Sequence, residues 1–425
     1  MTATPEAPSL SGAAYLRLVA LGAVIGVPAA LVAAGFLALV HELDDWLWHD
    51  LPDALGQASP PWYLVVGLPV AGAGIVVAAR KLLPGDGGHS PLHGLAGQPT
   101  PVAYAPGVAL AALGSLAFGA VVGPEAPLIA LGSVVGLTVT HFVTVDPKQH
   151  GVLSMAGSFS AISALFGGPL AAGVLLLEAG VGMGALLIPV MLPGFVAAAV
   201  GYLLFIGLGD WGGLDETTLS VPGLPPYDGT SIRDLLLAIG IGIITAIVCE
   251  AVRVFGRRTA ASEPRLGMGP LVLAGGLTVG LLALLADGLG ADSQDVLFSG
   301  QNSMTALVEE DSARVLLVLV AAKAVAYAIC LGCGFRGGPV FPAIFIGVGL
   351  AMFAVIAFDV SPTLAVAVGA PAGMAAMTKL LLAPLLITAL LVGSSGIDAV
   401  SAAVLASAAA WVVTNGLERL AGRTA

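Results

Sequence analysis

One carboxylate is set apart by its surroundings. Glu125 sits in the run Gly123-Pro124-Glu125-Ala126-Pro127-Leu128-Ile129-Ala130-Leu131-Gly132; residues 102–122 before it carry no charge, and the next charge after it is Asp146. An acid held in a long apolar stretch is costly, and inside a membrane it marks a functional site by default. The Gly-Pro in front of it suits a helix start, because proline fits the first turn, where its missing N–H needs no partner. A helix start also exposes unpaired N–H groups and the positive end of the helix dipole, which together favour an anion. The chemistry to expect is an anion site containing a protonatable acid. The plainer reading is a glutamate that caps a helix end. In the first reading a bound anion and a charged Glu125 repel each other, so anion arrival and protonation are coupled in sign.

Other residues carry weaker chemistry. Glu178 is a second acid in an apolar stretch, a candidate inner proton relay or a polar contact remote from any pore. Lys379, followed by Leu380–Leu382, reads as a snorkelling or paired cation before an anion ligand. Arg336 can draw anions electrostatically or cap its own loop. His89 and His93 flank Pro91 and stand either for a pH sensor or for hydrogen-bonded histidines. Cys330 and Cys333 form a C-x-x-C inside an apolar segment with no second ligand pair. A zinc site needs four ligands, so both read as small core residues. No acid or histidine cluster has metal spacing, and no cofactor is expected.

The elements that must hold these residues are membrane helices. Of the 425 residues 58% are apolar and only 10% charged, against roughly 25% charged in soluble domains, and the mean hydropathy is +1.01. Gly 58 and Pro 28 suit helices that pack closely or are broken within protein. The net charge of −11 argues against nucleic acid, which calls for basic patches. Met1–Ser11 is polar and acidic, so no cleavable signal peptide is expected.

Taken in order, 1–12 reads as a short cytoplasmic tail and 13–40 as a first span. His41–Gln57, with Trp46 and Trp48, reads as an interfacial connection. Further apolar runs cover 63–79, 102–122, 124–142, 151–166, 169–182 and 184–208, with breaks expected at Gly167-Gly168 and Pro193-Gly194. A Gly-, Pro- and Asp-rich connection over 209–233 reads as an extracytoplasmic loop between a first membrane half, 13–208, and a second, 234–417. Apolar runs resume over 234–252, 269–286, 315–332, 339–358, 363–378, 380–393 and 397–413. Arg253, Arg257, Arg258 and Arg265 make the most basic loop and, with Arg80-Lys81, mark the cytoplasmic side by the positive-inside rule. A short tail over 418–425 closes the chain, with no regulatory domain expected. Several runs are too short to cross alone, which points to re-entrant and broken helices.

The Glu125 motif has a partner. Gly338-Pro339-Val340-Phe341-Pro342-Ala343-Ile344-Phe345-Ile346-Gly347 matches it as G-P-x-x-P-x-x-x-x-G at an offset of 215 residues. Pro169-Leu170 and Pro384-Leu385 match at the same offset. Duplicated halves with interrupted helices at corresponding positions point to a transport site at mid-membrane. In an inverted repeat the two helix starts meet from opposite sides, and both dipoles favour an anion.

On these residues the chain resembles the CLC family of chloride channels and chloride/proton antiporters, in a divergent bacterial subgroup. That family carries signatures of the form G-S-G-I-P, G-[KR]-E-G-P and G-x-F-x-P in this order. Gly87-Gly88-His89-Ser90-Pro91, Gly123-Pro124-Glu125-Ala126-Pro127 and Gly338-Pro339-Val340-Phe341-Pro342 stand in their places, and the resemblance covers roughly 13–417. It implies an all-α integral membrane fold, an inverted repeat of two halves with many tilted, broken and re-entrant helices. It implies a homodimer with a pore in each subunit, multi-pass in the plasma membrane of a bacterium. It implies that Glu125 is the gating glutamate and proton carrier. Backbone groups of Gly88, His89, Ser90, Ala126, Val340 and Phe341 then cradle the anion, with Glu178 as a candidate inner proton relay and Arg336 as an electrostatic attractor.

The departures from the pattern are specific. The serine expected on the central anion falls at Gly88, with Ser90 two residues away. Pro339 lacks an N–H where a donor is expected, leaving Val340 and Phe341. The inner proton-transfer glutamate falls at Ala179, next to Glu178. The inner-gate tyrosine is expected from the last helix, yet residues 386–425 contain none. The resulting expectation is anion transport, chloride first and another small anion second, by a channel or a chloride/proton antiporter. The protein is not expected to be an enzyme. An intramembrane hydrolase built on Ser90 and His89 is a weak alternative, because no oxyanion loop or G-x-S-x-G elbow is visible. A pore-inactive homologue is a further alternative.

Overall fold

The computed structural model describes residues 12–95, 99–180, 187–208, 211–214 and 219–421. The segment read as an amino-terminal tail, Gly12 apart, and residues 422–425 of the segment read as a carboxy-terminal tail lie outside the described residues. Among the described residues the chain is helical throughout, with no β-strand. The first half contains α1 (Gly12–Asp45), α2 (Leu51–Ala54), α3 (Trp62–Leu82), α4 (Ala105–Leu116), α5 (Glu125–Val139), α6 (Pro147–Leu165), α7 (Pro169–Ala179) and α8 (Leu187–Ile206). The second contains α9 (Ile232–Ala260), α10 (Glu263–Leu266), α11 (Met268–Gly288), α12 (Ser293–Val296), α13 (Met304–Glu309), α14 (Ala313–Cys333), α15 (Val340–Phe358), α16 (Pro362–Thr378), α17 (Leu382–Val392) and α18 (Val400–Ala421). Seven of the described helical segments are long and apolar enough to cross a membrane. Others are not: the 15 residues of α5 reach only about 22 Å, short of the roughly 30 Å apolar core of a bilayer.

Local chemistry sets many of the helix ends. Ser231 and Asp234 form a reciprocal capping box at the start of α9, which satisfies two otherwise unpaired N–H groups. Prolines open α7 and α16, where no donor is needed. The expected break at Gly167-Gly168 separates α6 from α7, with φ of +65° and +145° at the two glycines, values that favour glycine.

Small residues and hydroxyls knit the helices together. A Cβ on Gly132 of α5 would strike the Gly157 carbonyl of α6, and one on Gly347 of α15 would strike the Gly369 carbonyl of α16. Gly132 and Gly347 are again 215 positions apart, so the two halves reuse one close helix approach. The serines of α6 are buried and bonded across helices: Ser158 to the Ile129 carbonyl at 2.8 Å, Ser160 to the Gly26 carbonyl at 2.6 Å, and Ser154 to Ser133 at 2.7 Å. Interhelical bonds of this kind hold helices together in lipid, where apolar surface alone gives little preference for protein over tails.

The structure corrects the sequence reading at five places. The run over 102–122 is not one span. Helix α4 ends at Leu116, and 117–124 is irregular backbone at depth. Such backbone survives in a membrane only when protein satisfies it, and here it does. The Ala117 carbonyl accepts from the Trp48 indole at 3.0 Å, the Val121 N–H donates to Cys330 Sγ at 3.2 Å, and the Gly119 carbonyl accepts from the Phe298 N–H at 3.3 Å. The same bond explains the second correction. His41–Gln57 is largely helical, continuing α1 through a π-helical turn at Trp46–Asp50 into α2, and Trp48 is buried rather than interfacial. Third, α8 runs through Pro193-Gly194 without a break. Its neighbour α1 lies so close that a Cβ on Gly22 would meet the Pro193 carbonyl at 2.6 Å. Fourth, Arg253, Arg257 and Arg258 lie on α9, not in a loop. Glu250 sits one and two turns before Arg253 and Arg257 and pairs with both, at 2.5 and 2.8 Å. Fifth, residues 418–421 continue α18.

Candidate functional site

Helices α5 and α15 begin next to each other. Pro124 and Pro339, immediately before them, have nearly the same backbone angles, φ −80° and ψ −3° against φ −92° and ψ −4°. One residue earlier, Gly123 and Gly338 form an isolated antiparallel bridge. The Gly123 N–H donates to the Gly338 carbonyl at 2.8 Å, and the Gly338 N–H returns the bond at 2.5 Å. Mutual pairing of residues at the repeat offset is what a two-fold relation between the halves requires, so the pseudo-axis passes through this bridge. The two helix N-termini, with their unpaired N–H groups, thus converge at one buried point.

Glu125 fills that point. Its side chain is fully buried. Oε1 accepts from the Val340 N–H at 3.0 Å and from the Phe341 N–H at 3.1 Å, so the acid of α5 caps the opposed helix α15. Oε2 has no hydrogen-bond partner among the described residues. The two glycines make room for the carboxylate: a Cβ on either Gly123 or Gly338 would overlap its oxygens. Pro339 offers no N–H, but its carbonyl accepts from the Tyr327 hydroxyl at 3.0 Å, which holds the turn into α15. The Phe341 ring stacks on Phe166 with centroids 5.6 Å apart and planes 8° from parallel. A cavity of about 220 Å³ reaches Phe341 and Ile344, with Ser220, Gln301, Asn302 and Thr305 among its polar walls.

The first motif loop is tied to this site by charge. Arg336 is buried, and its guanidinium bonds Asp86, through Nε to the carbonyl at 3.0 Å and through Nη2 to the carboxylate. Arg80 holds the same carboxylate at 2.8 Å. Arg336, read as an attractor of anions or as a cap of its own loop, thus bonds the first motif loop through Asp86. Its own N–H donates to Ser115 Oγ at 3.0 Å. Of the expected backbone donors, Val340 and Phe341 converge on Glu125. Ala126 lies in the first turn of α5, where N–H groups have no carbonyl four residues back within the helix. The Gly88 N–H instead closes a turn onto the Gly85 carbonyl at 2.9 Å. His89 and Ser90 are half-buried in the loop. Burial first, and then the neighbouring His93, hold the His89 imidazole below the ordinary histidine range.

Glu178 lies elsewhere, at the end of α7. Its two oxygens accept from the N–H groups of Leu381, Leu382 and Ala383, at 2.5 to 3.0 Å, so it caps α17. Helices α7 and α17 are repeat counterparts, as are α5 and α15, and in both cases an acid of the first half caps a helix of the second.

Three residues around the site carry no flag in the sequence. Lys323 on α14 is fully buried. Its Nζ donates to the Asp295 and Leu297 carbonyls at 2.8 and 2.7 Å and lies 4.5 Å from the centre of the Phe345 ring. Tyr327 lies one turn on and donates to the Pro339 carbonyl, and Ser115 on α4 accepts from the Arg336 N–H. Lys323 was legible only as one charge interrupting an otherwise apolar helix, a signal that is equally consistent with snorkelling.

The comparisons with known proteins bear on the family and the fold. The family model described as voltage gated chloride channel matches residues 75–415. The provisionally named ion-transport protein YfeO of Escherichia coli O139:H28 is 29% identical over 345 residues, covering 77% of this chain and 76% of its own. The crystal structure of a CLC-type fluoride/proton antiporter superposes with a TM-score of 0.73 at 21% identity, over 96% of this chain and 98% of its own. A slow cyanobacterial chloride/proton antiporter superposes with a TM-score of 0.75 at 19% identity, over 96% of each chain. At such identities the superpositions establish a shared fold. The protein is therefore a multi-pass membrane protein with the CLC fold, and by the family match it belongs to the voltage gated chloride channel family.

Proposed function

We propose that the protein transports a small anion, chloride in the first place, across a bacterial plasma membrane, with Glu125 as the gate that protonation releases. The observation that carries this reading is the environment of one carboxylate. Oε1 takes the two N–H groups at the start of α15 that an anion needs, and Oε2 is buried without a partner. A proton arriving at Oε2 neutralises the side chain and weakens its charge-assisted bonds. The helix N-terminus is then free for an anion, held by amides and a dipole strongly enough to bind and weakly enough to leave. Because a bound anion favours protonation of Glu125 and protonation opens the site to the anion, the two ions are coupled through one group, and proton-coupled exchange is the form of transport this geometry supports best. The same reading divides the chain into halves at 13–208 and 234–417, joined by an extracytoplasmic 209–233, and assembles two chains as a homodimer.

A second small anion is favoured by one specific finding. The structural neighbours are described as a fluoride/proton and a chloride/proton antiporter, and they superpose with TM-scores of 0.73 and 0.75, so the fold accommodates either ion. The test is efflux of chloride and of fluoride, in parallel, from liposomes containing the purified protein, with external pH recorded throughout. Opposed proton movement at a fixed ratio is the expected result. Anion flux with no proton movement identifies a channel, and no flux of either ion refutes the proposal.

A further inference from the structure

A second cavity, of about 260 Å³, lies away from Glu125, beside Met377–Lys379 where α16 ends. Its walls include Arg253, Arg257, Lys379 and Glu418, and it is bordered by His93 and Thr378. The charges around it do not balance. Glu250 pairs with Arg253 at 2.5 Å and with Arg257 at 2.8 Å, while Glu418 pairs with Arg253 at 3.2 Å and with Lys379 at 2.6 Å. Three cations share two carboxylates, so one positive charge is left over beside a polar cavity. Arg253 is more than nine-tenths buried, and its Nε has no acceptor among the described residues. A buried, unpaired guanidinium donor is costly, and its natural complement is an anion.

The cavity also says what kind of anion. Each water in liquid occupies about 30 Å³, so the space is far too roomy for one bare halide and fits a polyatomic group. Guanidinium forks match the paired oxygens of an oxyanion, and the lysine adds a point charge. We propose that this cavity is a binding site for an oxyanion of the phosphate class, free or as the head of a phosphomonoester, and that Glu418 is the tethered carboxylate it displaces. Glu418 bridges Lys379 and Arg253 in the way an incoming oxyanion would. It lies on the last turn of α18, and its release frees the end of that helix from the turn between α16 and α17. The proposal does not depend on how Glu125 works, and its test reads binding, not transport.

Full-length protein in neutral detergent is melted against increasing inorganic phosphate, with chloride at matched ionic strength as the reference. A parallel series uses micelles containing phosphatidic acid. A saturable rise in Tm with phosphate, absent with chloride, is expected. In Glu418→Gln the competitor is neutral, and the half-saturating concentration is expected to fall about fivefold, the equivalent of one lost ion pair of about 1 kcal/mol. In the double variant Arg257→Gln/Lys379→Gln it is expected to rise by at least as much. Both of these side chains are about half exposed, so their loss leaves the core intact. A response to phosphatidic acid alone, lost in the double variant, supports the site and assigns its ligand to a lipid headgroup. A response to either probe that the double variant retains overturns the proposal, as does no response to both.

Discussion

The proposed gate rests on two glycines, and replacing one of them tests it without touching the acid. Gly338 is not among the positive-φ residues, so Gly338→Ala does not place an alanine in the left-handed region. Its new Cβ would overlap Glu125 Oε2, and the carboxylate has to move. Two bonds hold it, from Val340 and Phe341 at 3.0 and 3.1 Å. A hydrogen bond to a charged group contributes about 1.5–3 kcal/mol. Losing one of the two shifts the balance between seated and displaced carboxylate by roughly 10- to 100-fold. Initial anion efflux from liposomes should therefore rise toward that of Glu125→Ala and depend less on external pH. The double variant Gly338→Ala/Glu125→Ala should add nothing further, because both changes act on one contact. A Tm within a few degrees of the parent protein excludes a folding defect. If Gly338→Ala is folded and keeps the parental rate and pH profile while Glu125→Ala changes both, the seated carboxylate is not the gate.

Other expectations follow from single groups. Lys323→Met leaves the Asp295 and Leu297 carbonyls without their buried donor, and each unsatisfied group costs about 1–3 kcal/mol; a clear drop in Tm in detergent is expected, and an unchanged Tm would show that the loop before α13 is held by other contacts. Glu178→Gln removes the charge of the α17 cap and turns one of its two acceptor oxygens into an NH2 that faces N–H donors, so a loss of about 1.5–3 kcal/mol is expected with proton coupling intact; lost coupling at normal anion flux would instead make Glu178 the proton relay. His89, held below the ordinary histidine range, binds fewer protons in the folded protein than in the unfolded chain. Its contribution to stability is thus complete above the ordinary range and is lost as pH falls through that range toward the folded value. His89→Gln should flatten this acid-side decline in Tm, and an identical decline in the variant would assign it to other groups.

Much of the architecture was legible because membrane burial acts on composition. Long apolar runs, a glycine- and proline-rich chain and one acid in an uncharged stretch all follow from the cost of placing polar groups in lipid. The repeat was legible too, because the helix starts at Glu125 and Val340 reuse Gly-Pro at one offset. Helix extents were less so. The charges of Arg253 and Arg257 look like a loop in a hydropathy reading, yet Glu250 on the same helix pairs with both. Trp48 looks interfacial, yet the indole reaches the Ala117 carbonyl across the fold.

What the sequence by itself determined is the kind of molecule and the identity of its central acid. Local composition sets which segments enter the membrane, and Glu125 has no competitor in its stretch. What only the tertiary structure decided is which partners each group meets. Gly123 and Gly338 pair across more than two hundred residues, and their missing side chains open the space that the carboxylate occupies. The Gly88 N–H and the Arg336 guanidinium, both plausible anion ligands by motif, find partners in the Gly85 carbonyl and Asp86 instead. Lys323, unremarked in an apolar helix, is satisfied by two carbonyls from a distant loop. Hydrogen-bond satisfaction in a buried site depends on geometry between segments far apart in the chain, and a linear pattern holds no record of it.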